Sequence, residues 1–463
     1  MRWIHLLILL SYISCQEKKS DRSENSGVEV SANQQVEKAG HLFSNQSCER
    51  DPALLYSVYY PSDFNKSEKL PVFILFDPHG DPDVPIQKYQ RLADAYSYIL
   101  IASKDSKNGN GPEQTGSILQ AIVYQTLFIE KADTNRIFTG GFSGGARVAS
   151  MLALSPAGIK GLMLCGAGLP AGSWTGLPPH VIVALAGNSD MNLSEVINFK
   201  TADPRLMSRY QMIRFEGKHE WPPVDQVEDA FIAFDAIAQR DRFVEKDSAK
   251  LEKERATLNQ HVDSLKNGIE KAEALKNIIK NFNGMLVLHK EEKELENLLK
   301  SPSYQQAIAL EKQLNVQEER YRNYFLKALG SSDISWWEKE FPAWEKSAEK
   351  NKSREFAAMK NRIKGMLSLA TYMSLTRSIS ALHADQSLYL SHVYRLVDPE
   401  NSEAWYLSSV TAAQSGNLGQ CLDFLDIAIQ KGFKDQTRCK IEPAFAAFQS
   451  DNRFQQMIYK IVN

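Results

Sequence analysis

Residues 141–145 read Gly141-Phe142-Ser143-Gly144-Gly145, a serine with glycine two places before it and two places after it. A serine hydroxyl becomes a nucleophile for acyl transfer when it stands clear of its backbone and has a base within reach. The flanking residues predict that setting. Arg136-Ile137-Phe138-Thr139-Gly140 is a short apolar run that reads as a buried strand, and Ala146 to Leu154 reads as an apolar helix. Strand, sharp turn and helix hold such a serine in a strained backbone conformation, and small neighbours let strand and helix approach. The helix N-terminus behind Ser143 also favours the negative charge that develops in acyl transfer. The plain alternative is a structural turn with a solvated serine, and the rest of the constellation decides between the two.

An acid and a base are expected downstream. His180 to Ala186 is strongly apolar, a buried parallel strand, and it runs into Gly187-Asn188-Ser189-Asp190. Asp190 therefore falls just past a carboxyl end, where open α/β sheets place their sites. Tyr210 to Phe215 is the next strand, and His219 lies in the loop after it. Order and placement assign Ser143 as nucleophile, His219 as general base and then acid, and Asp190 as the group that orients the imidazole. The alternatives are a turn aspartate in Asn-Ser-Asp and a surface-loop histidine. Asp203 and Glu216 are rival acids: Asp203 sits beside Pro204 as a helix cap would, and Glu216 is too near His219 along the chain. His180 precedes its strand and belongs to the wrong end of the sheet.

Acyl transfer also needs donors for the oxyanion. Gly144, directly after the serine, supplies one backbone N–H. Val72-Phe73-Ile74-Leu75-Phe76 reads as an early strand, and Asp77-Pro78-His79-Gly80-Asp81 follows it, so Gly80 or Asp81 supplies the second. His79 shapes that loop. Asn108, in the glycine-rich segment Asn108 to Pro112 after the strand Ile99–Ser103, forms a further wall of the cleft. Trp174 and Trp221 are placed to stack on a ring of the substrate or to pack the loop bases.

Taken together, Phe76-Asp77-Pro78-His79-Gly80, Gly141-Phe142-Ser143-Gly144-Gly145 and Gly217-Lys218-His219-Glu220-Trp221-Pro222 resemble the α/β-hydrolase superfamily. The likeness is nearest to the esterases around dienelactone hydrolases and polyhydroxybutyrate depolymerases, in which a His-x-Trp-Pro sequence surrounds the base. It covers roughly residues 51–240. It implies a metal-independent serine hydrolase acting on esters, with a mostly parallel sheet. Dienelactone hydrolases proper use a cysteine nucleophile, so the serine branch is the better analogy. Relatives often carry a lid after the strand that follows the nucleophile helix. Here about fifteen residues separate Cys165 from the next strand, too few for a helical cap. An open site that admits bulky or polymeric esters is expected.

Met1-Arg2, an apolar stretch from Trp3 to Ile13 and then Ser14-Cys15 have the form of a secretory signal, residues 1–14. The stretch is too short to span a bilayer. Ser14-Cys15 resembles a bacterial lipobox, with Tyr12 departing from the usual leucine, and implies lipid modification of Cys15. Residues 15–46 read as a polar, disordered tether. The expectation is an enzyme held by lipid on a bacterial membrane outside the cytoplasm, in the periplasm or on the cell surface. Of the other four cysteines, Cys165 is an apolar filler, and Cys421 and Cys439 are close enough along the chain to be candidates for a disulfide. No Cys or His cluster has metal-ligand spacing, and neither metal nor cofactor is expected.

After a hydrolase domain over 47–240, whose last helix is Val224 to Arg240, glycine and proline become rare and Lys and Glu dominate. Leu251, Leu258, Leu265 and Ala272, with Val262 and Ile269, repeat every seven residues, a short coiled-coil-like pattern that predicts long antiparallel helices packed within the chain over 241–380. Ser301-Pro302 breaks the run. Trp336, Trp337, Phe341 and Trp344 form an aromatic cluster. In 381–463, Trp405, Ser409, Gly416, Cys421, Leu425 and Ala428 are spaced as in a tetratricopeptide repeat, a module that binds a protein partner or packs on its neighbour. The net charge of −2 over 463 residues, with signs interspersed, gives no nucleic-acid surface. A serine esterase is the first reading. A peptidase or amidase of the same fold and a non-catalytic binding lipoprotein are the alternatives.

Overall fold

A computed structural model describes residues 37–169, 179–202, 208–348 and 353–461. Cys15, the expected leader, residues 15–36 of the expected tether, Trp174 and Asp203 lie outside the described residues; the end of that tether, expected to run to residue 46, is instead ordered, because Leu42–Ser47 pairs with Leu55–Tyr59 as a strand of the sheet. Eight strands form one sheet in the order β1-β2-β4-β3-β5-β6-β7-β8. They are β1 (Leu42–Ser47), β2 (Leu55–Tyr59), β3 (Leu70–Phe76), β4 (Ile99–Ser103), β5 (Ala132–Phe142), β6 (Gly161–Cys165), β7 (Val181–Gly187) and β8 (Tyr210–Phe215). β2 is antiparallel to both of its neighbours, and all pairs from β4 to β8 are parallel. This order, with one reversed strand, is the α/β-hydrolase fold. The central strands are near-continuous apolar runs because both faces are covered, and β3 and β7 are buried along their whole length.

On one face lie α1 (Asp83–Tyr96) and, near the far end of the sheet-forming segment, the helix Val224–Arg240. Phe231 and Phe234 of that helix meet Phe73 edge-on at 5.5 Å each. The other face is covered by α2 (Pro112–Gln125), α3 (Gly144–Ala153) and α4 (Leu193–Ala202). With the Val224–Arg240 helix as α5, the helical half continues through α6 (Ser248–Ser264), α7 (Gly268–Phe282), α8 (His289–Lys300), α9 (Pro302–Ser331), α10 (Ile334–Ala348), α11 (Arg354–Ser380), α12 (Ala384–Val397), α13 (Ser402–Gln414), α14 (Leu418–Gln430), α15 (Gln436–Ile441) and α16 (Asn452–Lys460).

Side-chain caps punctuate these helices. Asp247, Asn267, Ser301 and Ser353 each accept from a backbone N–H in the first turn of the helix that follows, which satisfies donors that have no intrahelical partner. The seven-residue spacing spans two of them: Leu251, Leu258 and Val262 are buried on α6, Ile269 and Ala272 on α7, and Leu265 is the cap between. The two helices form a hairpin packed within the chain. Trp337, Phe341 and Trp344 pack around Phe325 as one core. Residues 402–430 form a second hairpin, with Ser409, Cys421, Leu425 and Ala428 buried and Gly416 at φ 72° in the turn. Cys421 and Cys439 are both buried free thiols, so the candidate disulfide is absent. Burial pushes each thiol up to about 12.

The helical half packs on the sheet's last strand. An edge strand leaves backbone groups unpaired. Here Lys280 and Asn277 of α7 donate to the carbonyls of Tyr210 and Met212, both at 2.9 Å. Arg214 of β8, almost fully buried, meets Glu273 of α7 at 3.1 Å and also Glu311 of α9. From Lys38 onward the described residues belong to one compact unit. No helix among the described residues is long and apolar enough to cross a membrane.

Candidate active site

The loops at the carboxyl ends of β3, β4, β5, β7 and β8 converge, as the topology of an open parallel sheet requires. Ser143 stands between β5 and α3 with φ 51° and ψ −116°, a positive-φ conformation costly for a residue with a Cβ. The glycines around it have steric reasons. A Cβ on Gly141 would sit 2.4 Å from the carbonyl carbon of Gly145, and one on Gly145 would sit 2.0 Å from the Phe76 carbonyl oxygen. Strand and helix approach too closely for any side chain at either place.

His219 Nε2 lies 2.9 Å from Ser143 Oγ, and His219 Nδ1 lies 2.9 Å from Asp190 Oδ1. A carboxylate can only accept, so this geometry needs the proton on Nδ1, leaving Nε2 to accept from the serine hydroxyl. Asp190 is fully buried, and its Oδ1 also accepts from the Asn192 N–H at 2.8 Å. The N–H groups of Asn188 and Ser189 donate to the carbonyls of Phe215 and Gly217 at 2.8 and 2.9 Å, which joins the Asp190 loop to the His219 loop. Phe142 packs against the imidazole with ring centres 4.6 Å apart. The three residues expected from the sequence are thus brought together. Glu216 points away, to Asn188 and Arg354, and His180 bonds Asp241 at 2.5 Å at the other end of the sheet.

The backbone N–H groups expected to serve an oxyanion stand in two different settings. Gly144 opens α3, so its N–H has no intrahelical acceptor. The N–H groups of Gly80 and Asp81, expected as the second donor, are turned toward Asp77: Gly80 to its carbonyl at 3.3 Å and Asp81 to its Oδ1 at 3.4 Å. The His79 N–H also donates to Oδ1, at 2.8 Å. Asn108 lies between the two loops. Its N–H donates to the Pro78 carbonyl at 2.8 Å, and its carboxamide covers Gly144 so closely that a Cβ there would fall 1.8 Å from Oδ1.

Of the other cleft residues, the His79 side chain is exposed. Trp221 is buried and does not line the cleft. Its Nε1 donates to Asp77 Oδ2 at 3.0 Å, and its ring packs against Phe142 and Tyr89. It fastens the His219 loop to the β3 loop, because a buried indole N–H must find an acceptor. Two residues to which the sequence pattern assigned no role also carry the geometry. Asp77 collects the β3 loop and Trp221. Gly166, just past β6 at φ 61°, lies under the acid and the base. Among the described residues no group of three or more His, Cys, Asp or Glu is arranged to hold a metal ion.

No protein-family model matches the chain, and no curated protein matches it. Solved structures do. Esterase B from Lactobacillus rhamnosis is 16% identical over 43% of this chain and 87% of its own, with a TM-score of 0.35. S-formylglutathione hydrolase FrmB from Staphylococcus aureus is 13% identical over 42% of this chain and 99% of its own, with a TM-score of 0.34. The feruloyl esterase module from Clostridium thermocellum is 13% identical over 43% and 87%, also at 0.34.

Proposed function

We propose that the chain is a serine hydrolase that cleaves carboxylic esters through an acyl-enzyme. One observation carries the reading: the unbroken relay from Ser143 Oγ through His219 to buried Asp190, with both links at 2.9 Å and the serine held at positive φ. In the first half-reaction Ser143 Oγ attacks the ester carbonyl carbon as its proton passes to His219 Nε2. The tetrahedral intermediate then collapses, and the imidazolium returns the proton to the departing alcohol. Water, deprotonated by the same nitrogen, attacks the acyl-serine, and the imidazolium returns that proton to Ser143 Oγ as the acyl–oxygen bond breaks and the acid leaves. Asp190 holds Nδ1–H and stabilises the imidazolium.

The Gly144 N–H is one donor to the oxyanion. The second is the Asn108 side-chain amide, since the Gly80 and Asp81 N–H groups already face Asp77; a half-turn of the carboxamide exchanges Oδ1 and Nδ2 beside Gly144.

In this reading the catalytic unit runs from β1 to residue 240, a few residues longer than the expected 47–240, and the helices of 241–380 and 381–463 are an appended module whose last part is tetratricopeptide-like. A lipid on Cys15 and the segment between it and β1 tether the enzyme to a bacterial membrane outside the cytoplasm. A panel of p-nitrophenyl acyl esters beside the matching anilides tests the substrate class. Ester turnover at least about a hundredfold above anilide turnover, abolished by Ser143→Ala, agrees with it. Turnover of anilides alone makes the protein an amidase.

A further inference from the structure

The loop that carries Asp190 is held from the helical half by two guanidinium groups sharing one buried carboxylate. Arg362 of α11 is 7% exposed. Its Nη1 donates to the Asn188 carbonyl at 2.6 Å, and its Nε and Nη2 donate to Glu318 Oε2 of α9 at 2.8 and 2.6 Å. Glu318 Oε1 accepts from Arg322 at 3.1 Å, and Arg322 Nη1 also donates to the Met191 carbonyl at 3.1 Å. The carbonyls two residues before and one residue after Asp190 are therefore both fixed by helices lying more than a hundred residues later in the chain. On its N–H side the same loop is bonded to the His219 loop.

Burying an ion pair is not in itself a route to stability, because desolvation offsets the Coulombic gain. Apolar side chains of similar volume would fill the space at least as well. What they would lack is direction: guanidinium N–H groups aimed at particular main-chain oxygens. The cluster is thus better suited to fixing the path of residues 188–191 than to adding stability.

We propose that Arg362 and Arg322 are positioning residues for Asp190, and that the helical half is a working part of the active site. The proposal rests on the Ser143–His219–Asp190 reading. Misplacing a reacting group by about 1 Å can cost on the order of a hundredfold in rate, which sets the scale of the effect.

The test is a double-mutant comparison on the full chain, with p-nitrophenyl acetate as probe and Tm as the check on folding. Arg362→Gln lowers kcat by roughly 10- to 100-fold with KM changed less than about twofold. Arg362→Lys recovers part of the loss. In an Asp190→Asn background, adding Arg362→Gln costs less than about twofold, because a residue acting through Asp190 has nothing left to act on. An equal loss in both backgrounds, or full activity in folded Arg362→Gln, overturns the proposal while leaving the triad intact. Full activity in Asp190→Asn overturns the triad reading itself. If Arg362→Gln does not fold, Arg322→Gln, at a side chain 24% exposed, carries the same comparison.

Discussion

Gly166 lies against the Asp190 carboxylate: a Cβ built on it would stand 2.9 Å from Asp190 Oδ2, and 3.1 Å from His219 Cε1. The residue has φ 61°, and its carbonyl accepts from Asn192 at 2.8 Å, the residue whose own N–H holds Asp190 Oδ1. Gly166→Ala is expected to strain the backbone by about 1 kcal/mol and to push acid and base apart. The expected outcome is a kcat on short esters lowered by more than about tenfold, with a Tm only a few degrees lower. Steady-state kinetics beside a thermal melt check it. A fully active variant would show that the acid and base do not need this close contact.

Asn108→Ala separates the two sources of the second oxyanion donor. If the side-chain amide stabilises the alkoxide, kcat falls by about 10²- to 10³-fold with little change in KM, as loss of one such donor does elsewhere. If the N–H groups of Gly80 or Asp81 swing away from Asp77 to do this work, the variant retains most of its kcat. The same kinetic assay reads either result.

A third expectation concerns pH. Glu254 of α6 is buried beside Asp235 and 3.8 Å from Lys250. Burial first, and then Asp235, push its carboxyl up from 4.5 to about 8. The folded state therefore favours neutral Glu254, which can donate to Asp235, whereas two carboxylates there would repel. A raised folded value contributes stability that is complete below pH 4.5 and is lost as pH rises to about 8. Glu254→Gln keeps a neutral donor and removes that slope. Its Tm should match the parent near pH 4.5 and exceed it by roughly 5 °C near pH 8.5. A Tm difference that stays constant across this range would contradict the assignment.

What could be read from the sequence follows from what local pattern encodes. The strands β3 to β8, the turn at Ser143 and the placement of Asp190 and His219 after successive strands follow from apolar runs and chain order, whereas β1, Leu42–Ser47, has too few apolar residues to be told from the polar segment before it. Long-range packing leaves no such trace. Arg362 falls on the apolar stripe of α11, beside Ala358, Met359, Ile363 and Met366, but its partners cannot be read there, since Glu318 arrives on α9 and the Asn188 carbonyl from the sheet. Gly166 looks like an ordinary loop glycine until the imidazole is placed above it. Trp221 was legible as a motif residue, but whether its indole faced the cleft or Asp77 depended on a loop 144 residues earlier. The oxyanion loop shows a further limit: a His-Gly pair after a strand locates the loop, while the direction of each N–H is set by the Asp77 carboxylate that the turn encloses.

The central claim is that Ser143 is an activated nucleophile. The most direct measurement is reaction of the full chain with a fluorophosphonate probe, with the modified residue located by peptide mass, beside Ser143→Ala and His219→Ala. A single adduct on Ser143 is expected, absent from Ser143→Ala and slowed at least about a hundredfold in His219→Ala. A folded protein that takes no label, or that labels at the same rate without His219, would contradict it.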